Sequence, residues 1–248
     1  MKKISIIIAT YNAGMTLKRC FDSIRSQKNE LIELIVIDGN STDDTLSIIE
    51  CNADIVDYYV SEPDKGIYDA WNKGVKVSTG EWIEFLGADD KLLPNSLQFY
   101  LDFLKKNDDL IKYDIIVGRC WLVDNNGKRL RKYGDPYNWN VFKKFMKLSH
   151  GSSLQNRKLF DELGMFSLDY KICADYEFLL RKKLKAKFVN REILEMQIGG
   201  ASDTIQGLID SFRVKQARKV SPYFVNFYYL VKGILGFYYR KYIAVYEK

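Results

Sequence analysis

The order of apolar runs in the first ninety residues constrains this chain more than any other feature. "ISIIIA" (4–9), "LIELIVIDG" (31–39), "IVDYYVSEPD" (55–64) and "EWIEFLGADD" (81–90) read as strands. Between them "MTLKRCFDSIRSQ", "STDDTLSIIE" and "GIYDAWNKGVKVS" carry helical periodicity or helix-capping residues. Strands alternating with helices predict βαβ units, and right-handed crossovers then give a mainly parallel sheet. Such a sheet binds ligands beyond the carboxyl ends of its strands. Here those ends read "TYN", "DGNSTDD", "SEPDKG" and "GADD", which are small, polar or acidic every time.

The charge distribution agrees. Residues 1–100 hold 10 Lys and Arg against 16 Asp and Glu, whereas residues 101–248 hold 28 against 16. The acidic half concentrates carboxylates at the expected mouth of the sheet, and the basic half suits something anionic. Adjacent Asp89 and Asp90 repel each other at a strand end, so a cation or a solvated turn must offset them. The start, "MKKISIIIATYN", superficially resembles a signal peptide, but its apolar run covers only Ile4 to Ala9 and lacks a small-residue cleavage site, so a first buried strand is expected. Cys20, Cys51, Cys120 and Cys173 are far apart, without CxxC pairing, which favours a reduced, cytosolic protein.

Beyond Asp90, "PNSLQFYLDFLKK" and "ADYEFLLRKKLK" read as helices, and "YDIIVGRCWLVDNNGKRLRKY" as two strands around an Asn-Gly turn. There is no GxGxxG after the first strand, no GxxxxGK[ST] and no GxSxG, which argues against a nicotinamide dehydrogenase, a P-loop phosphotransferase and an α/β-hydrolase. What remains is a nucleotide site built on carboxylates and a metal.

Four segments in consistent order, "SIIIATYNAGMTLKRCFDSI", "ELIVIDGNSTDDT", "EPDKGIYDAWNKGVKVSTGEWIEFLGADD" and "ADYEFLLR", resemble the family 2 glycosyltransferases of GT-A fold. They are most similar to bacterial enzymes of capsule, O-antigen and exopolysaccharide assembly. The resemblance covers roughly residues 1–190. It implies an α/β, Rossmann-like, mainly parallel sheet flanked by helices: a glycosyltransferase domain over 1–200, with a nucleotide-binding half (1–100) and an acceptor half (101–200). A C-terminal helical region would follow over 201–248. It also implies inverting transfer of a sugar from a nucleotide diphosphate, with Mg²⁺ or Mn²⁺ stabilising the leaving group.

Residue by residue, the resemblance gives Asp89 the metal, with Asp90 as a further ligand, and His150, the sole histidine, a contact to metal or diphosphate. The family's Asp-x-Asp reads Gly87-Ala88-Asp89 here, so its first carboxylate is missing and Asp90 is expected to take over the ribose contact. Asp38 resembles the carboxylate that accepts N3–H of uracil, which favours a UDP-sugar; Thr10, Tyr11 and Asn12 resemble the segment around base and ribose. Lys65 and Asn72 match the "KG…N" stretch near the donor. Asp175 matches the general base, flanked by Ala174 and Tyr176, with Glu177 as its understudy. A sugar-nucleotide pyrophosphorylase should instead show a glycine-rich basic loop after strand one, and a catalytically silent binding protein should have lost Asp38, Asp89 and Asp175.

The stretch Tyr223–Tyr246 is apolar and aromatic nearly all round, broken by Lys232, Arg240 and Lys241. Lacking roughly twenty uninterrupted apolar residues, it reads as an interfacial helix on anionic lipid rather than a spanning one. A helix packed on its own domain or in a homodimer is the competing reading. The expected partners are therefore a UDP-sugar, a glycan or lipid-diphosphate-linked acceptor and a membrane surface, with no nucleic acid. The expected place is the cytoplasm, peripheral on the inner face of the cell membrane.

Overall fold

The computed structural model describes residues 2–200 and 203–239. Its first half is the expected succession: β1 (Ile4–Thr10), α1 (Leu17–Arg25), β2 (Ile32–Asp38), α2 (Thr45–Glu50), β3 (Tyr58–Ser61), α3 (Ile67–Val77) and β4 (Trp82–Gly87). β1 pairs in parallel with both β2 and β4, and β2 with β3, giving the order β3-β2-β1-β4. Both faces of β1, β2 and β4 are covered, so these strands read as continuous apolar runs rather than alternations. Ile4, Ile6, Ile8, Leu34 and Val36 pack towards α1, while Ile7, Ile35 and Ile37 pack towards α3. A Cβ on Gly74 of α3 would lie 2.5 Å from Ile7 Cγ2, so only glycine lets this helix approach β1 so closely.

The second half adds β5 (Lys91–Leu92), α4 (Ser96–Lys106), β6 (Ile115–Val123), β7 (Arg129–Tyr133), α5 (Trp139–Phe142), β8 (Ser153–Asn156), α6 (Lys158–Leu163), α7 (Ala174–Leu179) and β9 (Ala186–Gln197). β8 bridges the halves, pairing antiparallel with β4 and with the start of β6. The hairpin around Asn126-Gly127 joins β6 to β7, and β9 runs parallel to β6 on its other side. β5 pairs with β9 at the far edge of the order β4-β8-β6-β9-β5. That edge lies four strand spacings from β4, roughly 19 Å in a flat sheet. The four Cα steps from Gly87 to Lys91 reach at most roughly 14 Å, so the sheet curls, and the turn 88–90 is pinned between β4 and β5.

Two expectations change here. The helix begun by "ADYEFLLRKKLK" stops at Leu179, because Arg181 turns in to the Leu163 and Met165 carbonyls and Lys182 to Asp114 and Glu162. The following segment is β9, a strand the sequence did not announce.

Helices α8 (Ile205–Ala217) and α9 (Tyr223–Tyr238) follow. α9 seats Asn226 in a fully buried position, rests the Tyr229 ring on Phe145, and brings Gly233 against Leu208 of α8. Its opposite face leaves Phe224, Phe227, Tyr228, Val231 and Leu235 exposed. One face of α9 is thus packed on its own domain, as the competing reading expects, and the other is exposed. Among the described residues no helix is long and apolar enough to cross a membrane; Arg240 and Lys241 lie outside them.

Candidate active site

The strand ends converge on Asp38, the last residue of β2. Its side chain is wholly buried and accepts four hydrogen bonds: Oδ1 from the Thr10 and Ser41 hydroxyls (2.8 and 2.5 Å), Oδ2 from the Ser41 N–H and the Ser61 hydroxyl (2.8 and 2.6 Å). Burial alone would raise its pKa, but these donors outweigh it and hold the carboxyl below its ordinary value. Asp38 therefore cross-links the ends of β1, β2 and β3 and keeps no lone pair for a base, which corrects its expected contact to uracil. Thr10 is likewise spent on Asp38. Asn12, at φ +50°, accepts the Thr42 N–H and fastens the loop after β1 to that after β2. Tyr11, in the loop after β1, is 68% exposed.

After β4 the paired carboxylates part company. Asp89 is exposed, its carboxylate accepts no hydrogen bond from the described residues, and its backbone carbonyl is held by Arg19 at 2.6 Å. Asp90 turns inward, 6% exposed, with its Oδ2 accepting the Gly87 N–H at 3.3 Å. Burial first, and then the charge of Asp89, push its pKa up to about 8. In the same core, on β4, Glu84 is completely buried, and neither of its oxygens has a partner among the described residues; burial, then Asp90, raise it too to about 8. A Cβ on Gly87 would lie 2.8 Å from Asp89 Oδ1 and 2.9 Å from Asp90 Oδ2, so these two carboxylates fill the space beside the position where the Asp-x-Asp pattern puts its first acid.

The fit to a divalent cation follows from these placements. No three of the described His, Cys, Asp or Glu side chains converge to hold one, so Asp89, Asp90 and His150 do not form the expected ligand set. Mg²⁺ and Mn²⁺ sites fed by substrate phosphates need only one or two carboxylates, with water and phosphate oxygens supplying the rest. Asp89, exposed and free of protein donors, fits that pattern; Asp90, buried and reluctant to ionise, supports the turn. His150 sits near Trp71 and Phe85, its ring centroid 5.2 and 5.4 Å from theirs, and its Nε2 lies 2.7 Å from the Gln155 amide nitrogen. Burial lowers its pKa below the usual imidazole range, against a smaller upward pull from Asp175, and it serves as a packed aromatic.

Asp175, in the first turn of α7, is only partly buried, and its Oδ1 lies 2.9 Å from the Tyr68 hydroxyl that donates to it. Tyr68 also contacts the Ile172 carbonyl, and burial, followed by the charge of Asp175, raises its pKa far above normal, so it stays a donor. It stands in the first turn of α3, just after the loop leaving β3. A side chain of the second half is thus tied to the mouth of the parallel strands. Glu177 is fully buried and paired with Arg181 and Arg218, so it is structural rather than an understudy.

Of the "KG…N" pair, Lys65 is exposed at the mouth, whereas Asn72 is turned into the core. Its amide donates to the Phe166 carbonyl at 3.0 Å and accepts the Phe166 N–H at 2.9 Å. Asn72 clasps backbone and does not reach the donor side, a second correction. Sequence reasoning passed over Arg19 and Tyr68, which hold the Asp89 turn and Asp175. Tyr68 lay inside the quoted "GIYDAWNKG", but nothing in one sequence marks its hydroxyl as aimed at residue 175.

Comparison with known proteins gives a consistent picture. The model of the family described as "Glycosyl transferase family 2" matches residues 5–168. A PGL/p-HBAD biosynthesis glycosyltransferase of Mycobacterium bovis (strain BCG / Pasteur 1173P2) is 32% identical over 212 residues, 81% of this chain and 79% of that protein. An uncharacterized glycosyltransferase of Rickettsia conorii is 32% identical over 185 residues, 70% of this chain and 30% of its own. Among solved structures, S. aureus TarS in complex with UDP-GlcNAc superposes with a TM-score of 0.69 at 15% identity, covering 96% of this chain and 73% of that one. A mannosyltransferase, PcManGT from Pyrobaculum calidifontis in complex with GDP-Man and Mn²⁺, gives 0.65 at 17% identity, covering 94% and 73%.

Proposed function

Given that the chain belongs to glycosyl transferase family 2 and has the GT-A fold, we propose that it is an inverting transferase that moves a sugar from a UDP-sugar to a glycan or lipid-diphosphate-linked acceptor in bacterial surface polysaccharide synthesis. The observation that supports this reading is the Tyr68–Asp175 hydrogen bond, which ties a carboxylate of the second half to the first turn of α3. Asp175 accepts the proton of the acceptor hydroxyl. Tyr68 occupies Oδ1, leaving Oδ2 without a protein donor among the described residues and open to that proton. The freed acceptor oxygen attacks the anomeric carbon from the side opposite the nucleotide, inverting its configuration.

Asp89, in the turn after β4, is the residue that would hold the divalent ion, which when bound would supply charge neutralisation on the departing diphosphate. Lys65, exposed in the loop after β3, lies on the same mouth and suits a phosphate contact. Tyr11 offers a ring face beside the base. The exposed aromatic face of α9 suits an interfacial seat on the inner face of the membrane, bringing the site to a lipid-carried acceptor. The test is Asp175→Asn, which should lower turnover by about 10²–10⁴ while donor affinity stays within a few-fold. Lost nucleotide binding with turnover per bound donor intact would assign Asp175 to the donor site instead.

A further inference from the structure

We propose that Asp64, and not Asp38, is the carboxylate that reads the base of the donor nucleotide, accepting the N3–H of uracil. The assignment rests on the nucleotide-sugar reading above and sharpens it. Uracil presents a ring N–H, so recognition needs an acceptor with an unused lone pair at the strand mouth. Asp38 has none, because both of its oxygens are filled by Thr10, Ser41 and Ser61 and the residue is sealed from solvent.

The residue one step further along the chain is Gly39, whose N–H donates to the Thr10 carbonyl at 2.8 Å and so continues the β1–β2 pairing. A Cβ placed on Gly39 would lie 2.6 Å from Asp64 Oδ2 and 3.2 Å from the Asp64 carboxyl carbon. The Asp64 carboxylate thus occupies the space that a side chain at 39 would fill, delivered from the loop after β3. Its Oδ1 accepts the Gly66 N–H at 2.7 Å, which fixes the group's orientation, and its Oδ2 receives no donor from the described residues. Asp64 is partly exposed, and Tyr11, leaving the neighbouring strand end, stands open to solvent on the same mouth. Fixed on one oxygen and free on the other, Asp64 matches a single ring N–H.

The same geometry discriminates between pyrimidines. Cytosine carries a lone pair at N3, which would face the Asp64 lone pair with no hydrogen between them, leaving a desolvated acceptor unpaired. An asparagine at 64 can rotate its amide to present N–H instead.

The experiment measures UDP and CDP affinities in the presence of Mn²⁺, by calorimetry, for the full chain, Asp64→Asn, Asp38→Asn and the double variant Gly39→Asp/Asp64→Gly. Wild type should prefer UDP. Asp64→Asn should weaken UDP about 10- to 100-fold, the range of one charge-assisted hydrogen bond, with CDP unchanged or tighter, which also reports that the variant is folded. The double variant should restore UDP preference, because Gly39 has an ordinary negative φ that aspartate can adopt and the vacated space accepts its carboxylate. A wild-type UDP-to-CDP ratio in Asp64→Asn would overturn the assignment, as would a folded Asp38→Asn that alone loses the ratio. Wild type binding no nucleotide diphosphate would instead sink the donor reading, a failure visible before any variant is compared.

Discussion

Glu84 offers the sharpest test of how the electrostatics of this core are understood. It is completely buried on β4, both oxygens are unpartnered among the described residues, and its pKa is raised from 4.5 to about 8 by burial and by Asp90. Between those two values the folded state keeps the proton while the unfolded chain has released it. The unfolded state then binds fewer protons, so stability falls as pH rises, by about 1.4 kcal/mol per pH unit. Replacing the residue with Leu, of similar volume and without a charge, removes that slope. The stability difference between Glu84→Leu and wild type should therefore grow in favour of the variant by about 3–4 kcal/mol from pH 5 to pH 8. The hydrogen-bonded carboxylates Asp38, Glu33 and Asp57 have lowered values and change below this window, while Asp90, also raised to about 8, owes that to burial and then Asp89, so its slope is shared by both proteins and cancels in the comparison. Urea unfolding at half-unit pH steps, in EDTA so that no metal binds Asp89, gives the two curves directly. Parallel curves, with a constant offset across pH 5–8, would refute the argument by showing that Glu84 is ionised in the fold or solvated after all.

Asp89→Ala should abolish transfer and Mn²⁺-dependent UDP binding while the protein still folds, since its side chain holds no other described residue; full activity in excess EDTA would contradict it. Asn72→Ala should cost about 2–4 kcal/mol in urea unfolding, because it leaves the buried Phe166 N–H and carbonyl unpaired. Lost UDP affinity at unchanged stability would return Asn72 to the donor side. The triple variant Phe224→Ser, Tyr228→Ser and Leu235→Ser should weaken binding to vesicles with anionic lipid at least about tenfold, spare donor hydrolysis, and leave α9 seated on α8. Sedimentation of vesicles with equal bound protein in wild type and variant would rule out this face as the membrane contact.

The parallel half of the fold was legible because its signals are local: apolar runs of strand length, helices of period 3.6 between them, and polar strand ends. The curl and β9 were not, since "AKFVNREILEMQ" mixes charges into a strand whose partners lie some seventy residues earlier in β6 and at the far edge in β5. Among site residues, the sequence could place Asp38, Asn72 and Asp90 at or near the mouth but could not show which way they point. Asp38 meets three hydroxyl side chains, Asn72 the Phe166 backbone in the loop before α7 and Asp90 the Gly87 N–H, all partners supplied by the fold itself. Asp89, Lys65 and Tyr11 remain exposed at the mouth. In the same way "WIEFLGADD" shows a glutamate within an apolar run, but not that it is buried without a hydrogen-bond partner among the described residues.

The pairing order of the strands also has a cost during synthesis. β1 to β4 pair among themselves and can form once residue 87 has left the ribosome, yet the outer edge of β4 is covered only by β8, which begins at Ser153. At 5–20 residues per second the nascent chain spends roughly 3–13 s with that edge open. The edge is Trp82 to Gly87, apolar except for Glu84, which is the composition that invites pairing with a neighbouring nascent chain. Glu84 puts a carboxyl, which water would ionise at neutral pH, in the middle of that strand, and a charge is the device by which open strand edges oppose such pairing.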